Sequence, residues 1–246
     1  MFSFLKNHPF AVEAFFEHSV VLTFSFPKEE LEHLIPECLQ LDTFNDKWAF
    51  VAVALVQTKD LRPKGFPRFL GNNFMLVGYR VFVRYTNKAG KRLRGLYILK
   101  SETDKKSMEY LGNLFTHYSY TTTDVSLKKD NTKWDINSKA SDFNIQFETG
   151  DEEVELPAMS PFADWKEARR FAGPLPFTFT YNTDVSEVLI IAGVRENWVP
   201  KAIKVIDYQI PFLKSVVVSK ETLANAFIIS NIPYHWKKGR IEKWNH

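Results

Sequence analysis

The sequence predicts a mainly β protein (α+β), with an antiparallel β-barrel or strongly curved sheet and peripheral helices. Three observations predict this fold class. Segments with alternating apolar residues recur along the chain, turn signals separate them at short intervals, and few stretches have helical periodicity. No repeat of fixed period and no low-complexity linker interrupts the sequence, so we expect residues 1–246 to form a single domain.

The clearest strands lie in the first half of the chain. We predict strands at 18–26, 48–57, 74–86 and 93–100. Apolar residues alternate with small or polar ones in the first strand, whereas the second is almost continuously apolar and is expected to be buried on both faces. Residues 87–90 (Asn-Lys-Ala-Gly) between the last two are typical of a hairpin turn.

Helices and connections fill the remainder of this half. Pro27 is favoured at a first helical position and predicts a short helix through Leu34. Residues 58–73 form a basic connection containing Pro and Gly, of a length typical of functional loops. A helix is expected over 104–117, with Met108, Leu111 and either Leu114 or Phe115 on its buried face.

The second half predicts a series of short strands with two short helices. The predicted strands are 118–127, 132–137, 143–149, 177–182, 188–192, 202–210 and 227–232, and the predicted helices are 161–171 and 220–226.

Composition excludes several classes of function. The chain is 45% hydrophobic and 25% charged, as in ordinary globular proteins, and its net charge of +3 is too small to indicate a nucleic-acid partner. No run reaches the roughly 18 apolar residues of a membrane helix, so we expect a cytoplasmic protein with no membrane partner. Cys38 is the single cysteine, the histidines lack ligand spacing, and nucleotide-binding motifs are absent, so we expect no metal and no cofactor.

The most chemically suggestive stretch is 99–106. Lys105 and Lys106 begin the predicted helix, where the helix dipole and the neighbouring charge both disfavour protonation and favour a nucleophilic amine. Such an amine forms a Schiff base with a carbonyl substrate. The alternative is an exposed surface pair, because Glu102 and Asp104 can restore the charge and the pKa shift requires burial.

A family resemblance extends this interpretation. Residues 22–27, Leu31 and 34–42 resemble the opening motif of the acetoacetate decarboxylase-like superfamily. Residues 95–102 and 118–120, together with Arg80, resemble its uncharacterised, YqjF-like bacterial branch. The resemblance covers residues 12–125 well and the remainder loosely. It implies a cone-like, mainly antiparallel barrel with an interior pocket and flanking helices.

The resemblance also implies roles for individual residues. The superfamily's lysine pair, in which one amine is activated by its cationic neighbour, falls on Lys105 and Lys106. The decarboxylase arginine would fall at about residues 17–18, which are Glu and His, and its acidic residue would fall within 76–79, where this chain has none. We therefore expect no appreciable decarboxylation of acetoacetate.

The favoured function is binding of a small carbonyl or carboxylate ligand in the interior pocket. Arg80 and Tyr97 are the expected substrate-binding residues, and if the protein is an enzyme, Lys105 or Lys106 supplies the amine and Glu102 transfers protons. One alternative is a non-catalytic small-molecule binding protein. Another is a structural, partner-binding protein that uses the basic loop 58–68 or the carboxy-terminal tail. Family analogy is compatible with a homo-oligomer.

Overall fold

Two β-sheets dominate the computed structural model, which describes residues 3–150, 153–196 and 198–244. Within these ranges the larger sheet has eleven strands and the smaller has four. The strands, numbered along the chain, are β1 (Val12–Pro27), β2 (Gln40–Leu41), β3 (Trp48–Pro63), β4 (Asn72–Thr86), β5 (Arg92–Thr103), β6 (Tyr120–Thr122), β7 (Ser126–Asp130), β8 (Lys133–Ser138), β9 (Phe143–Glu148), β10 (Phe177–Asn182), β11 (Glu187–Arg195), β12 (Lys201–Ala202), β13 (Lys204–Gln209), β14 (Thr222–Trp236) and β15 (Arg240–Lys243). The helices are α1 (Lys106–Phe115), α2 (Trp165–Ala172) and α3 (Pro211–Val216). The predicted fold class is confirmed, as a curved sheet with peripheral helices.

The larger sheet is built around a continuous antiparallel ladder, β14–β1–β3–β4–β5. Side chains alternate between its faces, as they do in any strand. One face carries the main core, in which Leu22, Val53 and Val81 are fully buried. The opposite face carries separate apolar clusters around residues such as Phe16 and Phe82. Both faces are therefore covered, and the continuous burial of 49–56 confirms the prediction for the second strand.

One irregularity in this ladder affects the faces of β5. Gly78 pairs with Ser101 and Tyr79 with Lys100, but Arg80 pairs with Ile98. Leu99 is thus an extra residue, a β-bulge that reverses the alternation of side chains along β5.

Helix α1 confirms the helix predicted over 104–117, and the side chain of its Met108 is buried. Two other predicted helices are wrong. The segment after Pro27 forms two 3-10 turns, 28–30 and 32–34, since Ile35 must be extended before Pro36. The helix predicted over 220–226 lies mostly in β14, because pairing with β1 outweighs the local helical preference of its alanines.

The remaining short elements lie close to their predicted positions. The strand predicted over 118–127 is divided into β6 and β7, and the one over 202–210 into β12 and β13. Much of the predicted connection 58–73 is strand, because β3 and β4 continue the ladder into it. In the part of the chain that the structure describes, no helix has the length and apolar character needed to cross a membrane.

Candidate functional site

A cavity of about 380 Å³ lies between the larger sheet and α1. Residues from β1, β3, β4 and β5 form its floor, while Leu111 and Phe115 of α1 face it from the other side. Most of the wall is apolar and aromatic, with contributions from Phe16, Phe82 and Phe227. A volume of this order and an apolar wall are typical of small-molecule sites.

Arg80 is the most unusual residue of this wall. It lies in the middle of β4, where the sheet alternation directs it to the cavity face. Gly78, two residues earlier, makes room for it, because a Cβ atom there would lie 3.0 Å from Arg80 Nε. The Nε atom is buried without a hydrogen-bond partner, although part of the side-chain surface remains open to the cavity. Burial lowers the pKa of Arg80, but a guanidinium stays charged in proteins.

Three phenols surround the guanidinium of Arg80. Burial raises the pKa of Tyr120 to about 12. Burial also raises the pKa of Tyr118 and of Tyr234 above the usual value of a phenol. All three side chains are therefore neutral at physiological pH and give Arg80 no counter-charge. The Tyr118 hydroxyl has no partner of full hydrogen-bond geometry, although Thr178 lies beside it.

A second arginine, Arg195, lies at the cavity wall near Tyr234. Its Nη2 donates to the carbonyl of Pro174 at 2.5 Å, and its guanidinium stacks on the ring of Trp198 at 4.8 Å. The indole Nε1 of Trp198 is a buried donor with no partner among the described residues. Gly193 is required here, because a Cβ atom would lie 1.9 Å from the Tyr234 hydroxyl.

Within the described ranges, the charged side chains that line the cavity are all positive. Arg80 and Arg195 both line it, and no Asp or Glu does so in the described ranges. A guanidinium in a largely apolar wall attracts an anion strongly, because the apolar wall screens the charge less than bulk water does. Arginine also binds carboxylates through two parallel hydrogen bonds. The arrangement can therefore hold a carboxylate whose body is apolar.

The structure does not bring the five sequence-predicted residues together. Arg80 lies in the cavity, whereas Tyr97 packs against the main core on the opposite face of the sheet. Lys105 and Lys106 are exposed at the start of α1, and Lys105 Nζ lies 3.8 Å from Asp104 Oδ2. Both side chains are exposed although Met108 in the same helical turn is buried, so the burial that the amine argument required is absent.

Glu102 lies in a different buried cluster. It accepts hydrogen bonds from Tyr79 Oη at 3.0 Å and from Lys100 Nζ at 2.8 Å. Burial and the neighbouring carboxylate raise the pKa of Tyr79. Because of the bulge at Leu99, this cluster faces the main core and not the cavity.

Sequence reasoning missed Tyr118, Tyr234, Arg195 and Trp198 as cavity residues. Only one signal in the sequence could have found part of the set. A glycine inside a strand, such as Gly193, often marks the close approach of another group. Among the described residues, no group of three or more His, Cys, Asp or Glu could hold a metal ion.

The fold is that of acetoacetate decarboxylase-like proteins. The chain is similar to acetoacetate decarboxylase from Legionella pneumophila, with a TM-score of 0.65 and 10% identity over 95% of this chain and 88% of that one. It is similar to an acetoacetate decarboxylase-like enzyme from Sphingomonas wittichii RW1, with a TM-score of 0.52 and 10% identity over 96% and 92%. It is also similar to the enduracididine biosynthesis enzyme MppR complexed with pyruvate, with a TM-score of 0.55 and 7% identity over 95% and 90%. These identities are low, so the likeness shows the fold alone.

The family match is more specific than the likeness in fold. Residues 13–213 match the model of DUF2071, described as an uncharacterised conserved protein, and the chain belongs to this family. This confirms the resemblance to an uncharacterised branch of the decarboxylase-like superfamily. No curated protein matches the sequence.

Proposed function

We propose that the cavity binds a small carboxylate with an apolar body, and that Arg80 holds the carboxylate. One observation carries this proposal: the guanidinium of Arg80 lies in an apolar wall, and within the described ranges it has no ion pair and its Nε has no hydrogen bond. An unpaired charge at such a depth is costly, and a bound carboxylate would remove most of that cost. The phenols of Tyr118 and Tyr120 are further donors on the same wall.

The non-catalytic form of this function has the better support. A Schiff-base enzyme needs an amine within reach of the ligand, and no lysine lines the cavity in the described part of the chain. Lys105 and Lys106 remain candidates only if their exposed amines reach a ligand from outside the cavity.

Borohydride trapping separates the two forms. We expect small ketones and aldehydes plus borohydride to label scattered surface lysines, because Lys105 and Lys106 are as exposed as many others. Labelling confined to one of these two residues would support the enzyme. We also expect no rapid release of carbon dioxide from acetoacetate, since Glu17 and His18 stand where the decarboxylase arginine would fall.

The binding experiment compares decanoate with 1-decanol, which has the same chain length and no charge. Calorimetry on the full chain should show decanoate binding at least about tenfold more tightly, because charge-assisted hydrogen bonds each contribute roughly 1.5–3 kcal/mol. Arg80→Met should remove that preference. Arg84→Met is the matched control, because Arg84 pairs with Asp42 at 2.5 Å and does not line the cavity. Equal affinity of the wild-type protein for both ligands would contradict the proposal.

Two further expectations belong to this proposal. We propose a cytoplasmic location, supported by the single, unpaired and buried Cys38, which suits a reducing compartment. Cell fractionation tests it. Self-association is tested by sedimentation equilibrium of the full chain.

A further inference from the structure

The connection between β3 and β4 exposes three large apolar side chains. We call residues 64–71 the tip. Phe69 is 83% exposed, Phe66 is 53% exposed and Leu70 is 52% exposed. Single exposed apolar residues are common on protein surfaces, but a contiguous group of them marks an interaction site.

The backbone of the tip is held in place, so this exposure is built into the fold. Arg62 Nε donates to the carbonyl of Phe66 at 2.8 Å, and Gly71 N donates to the carbonyl of Arg68 at 2.8 Å. Gly71 also packs closely on β3, since a Cβ atom there would lie 2.6 Å from the Cα of Asp60. The backbone at both ends of the tip is therefore tied to its base.

The charge of the tip is entirely positive. Lys64 precedes the apolar residues and Arg68 lies between Phe66 and Phe69 in the sequence, and both are exposed. Residues 61–73 contain no Asp or Glu. Neither of these two side chains forms an ion pair in the part of the chain that the structure describes. The surface that the tip contacts must therefore be apolar inside and negatively charged outside.

A second copy of the chain fits these requirements poorly. The apolar side chains of the tip offer about 350 Å², taking roughly 200 Å² for a fully exposed aromatic side chain. A stable protein interface buries about 800 Å² from each partner, of which roughly 450 Å² is apolar. A symmetric contact between two tips would also bring Lys64 and Arg68 of both copies together. An anionic bilayer has both the apolar interior and the negatively charged surface that the tip requires. Aromatic side chains favour the bilayer interface, and basic side chains bind its headgroups.

We propose that the tip docks the protein on an anionic lipid bilayer. This proposal concerns contact with the membrane surface, whereas the expectation of no membrane partner rests on the lack of an apolar run long enough to span a membrane. The tip also adjoins the cavity, because Arg62 and Pro63 before it and Asn72 after it line the cavity wall. This step rests on the proposed function. Because the tip adjoins the cavity, the ligand class is a carboxylate that dissolves in the bilayer, such as a fatty acid.

Vesicle flotation with the full chain tests the docking. The probes are phosphatidylcholine vesicles with and without about 30% phosphatidylserine, a composition that gives a negative surface potential. Phe66→Ser with Phe69→Ser should lower partitioning to the anionic vesicles by about tenfold or more, because burying one such side chain changes an equilibrium by at least that factor. Met159→Ser with Val218→Ser is the matched control, since these side chains are 78% and 99% exposed outside the tip. The control should change partitioning by less than about twofold.

Three results would overturn the docking proposal. The wild-type protein could fail to partition to anionic vesicles, both double variants could lose partitioning equally, or sedimentation could show a dimer that only the tip variant dissociates. The last result would identify the tip as a self-association surface.

Decanoate binding separates failure of the docking from failure of the proposed function. Arg80→Met should lose decanoate binding and keep vesicle binding, because Arg80 lies inside the cavity. The tip variant should keep decanoate binding from solution and lose vesicle binding. If docking holds but decanoate does not bind, the proposed function fails, and with it the assigned ligand class.

Discussion

Replacing Arg80 with methionine should make the ligand-free protein more stable. The change removes a charge that has no ion pair among the described residues and whose Nε lacks a hydrogen bond. Methionine keeps an unbranched apolar stem of similar width, so the wall of the cavity stays filled. A stabilising change that abolishes binding is typical of a functional residue held in an unfavourable environment.

The expected magnitude follows from the depth and surroundings of the guanidinium. Removing an ion from water costs several kcal/mol, but the cavity leaves part of Arg80 accessible and neutral phenols lie nearby. We therefore expect the free energy of unfolding to rise by about 2 kcal/mol, which corresponds to roughly 4–8 °C in Tm for a chain of this size. Urea denaturation and calorimetry, both without ligand, measure these quantities.

A control variant and the effect of ligand on stability both test whether Arg80 is a binding residue. Arg84→Met should have the opposite effect, because it leaves the fully buried carboxylate of Asp42 with Arg94 as its one remaining ion-pair partner in the described ranges. Added decanoate should stabilise the wild-type protein and not Arg80→Met, since only a ligand bound to the folded state shifts the unfolding equilibrium. If Arg80→Met were less stable than the wild-type protein without ligand, Arg80 would be a structural residue and the carboxylate argument would fail.

Three further changes test other parts of the site. Gly193→Ala should displace the Tyr234 hydroxyl, because the alanine Cβ would lie 1.9 Å from it. The free energy of unfolding should therefore fall by about 1–3 kcal/mol in urea denaturation. An unchanged urea midpoint would contradict the close contact between Gly193 and Tyr234. Leu111→Asp places a carboxylate on the cavity wall and should weaken decanoate binding by about tenfold, as measured by calorimetry. Tyr110→Asp is the control, because Tyr110 lies on the exposed side of α1, and it should leave decanoate binding unchanged. Burial lowers the pKa of His8 below the ordinary histidine value of 6.5. The unfolded chain therefore binds this proton first, and stability should fall as the pH drops from about 7 through 6.5. His8→Asn tolerates the left-handed backbone at φ 52° and should reduce that loss, and an identical pH profile of the urea midpoint would exclude His8 as its source.

The strands of the first half were predictable because their patterns are strong and local. The segment 48–57 is nearly all apolar and becomes the centre of the sheet, and 87–90 forms the expected turn before β5. The helix expected over 220–226 failed for the opposite reason, since its partner strand β1 lies about 200 residues away and local preference carries no information about it.

The site was only partly predictable, because it depends on register and on distant segments. The family resemblance points to Arg80, but neither the resemblance nor the strand shows which neighbours share its face. Tyr97 pairs beside Val81 and so faces the main core. Arg195 and Tyr234 reach the cavity from the far end of the chain, through the pairing of β11 with β14. No spacing in the sequence records that contact.

The extra residue Leu99 decides which chemistry the cavity presents. If the ladder were paired without this bulge and every residue were kept, Lys100 would lie opposite Gly78, and Glu102 opposite Leu76. The amine and the carboxylate, now 2.8 Å apart in the main core, would then enter the cavity beside Arg80. A slip of one residue in one strand would thus place a primary amine and a carboxylate beside Arg80. In this architecture, a change of strand register alone can change the chemical groups that face the cavity, with every side chain retained.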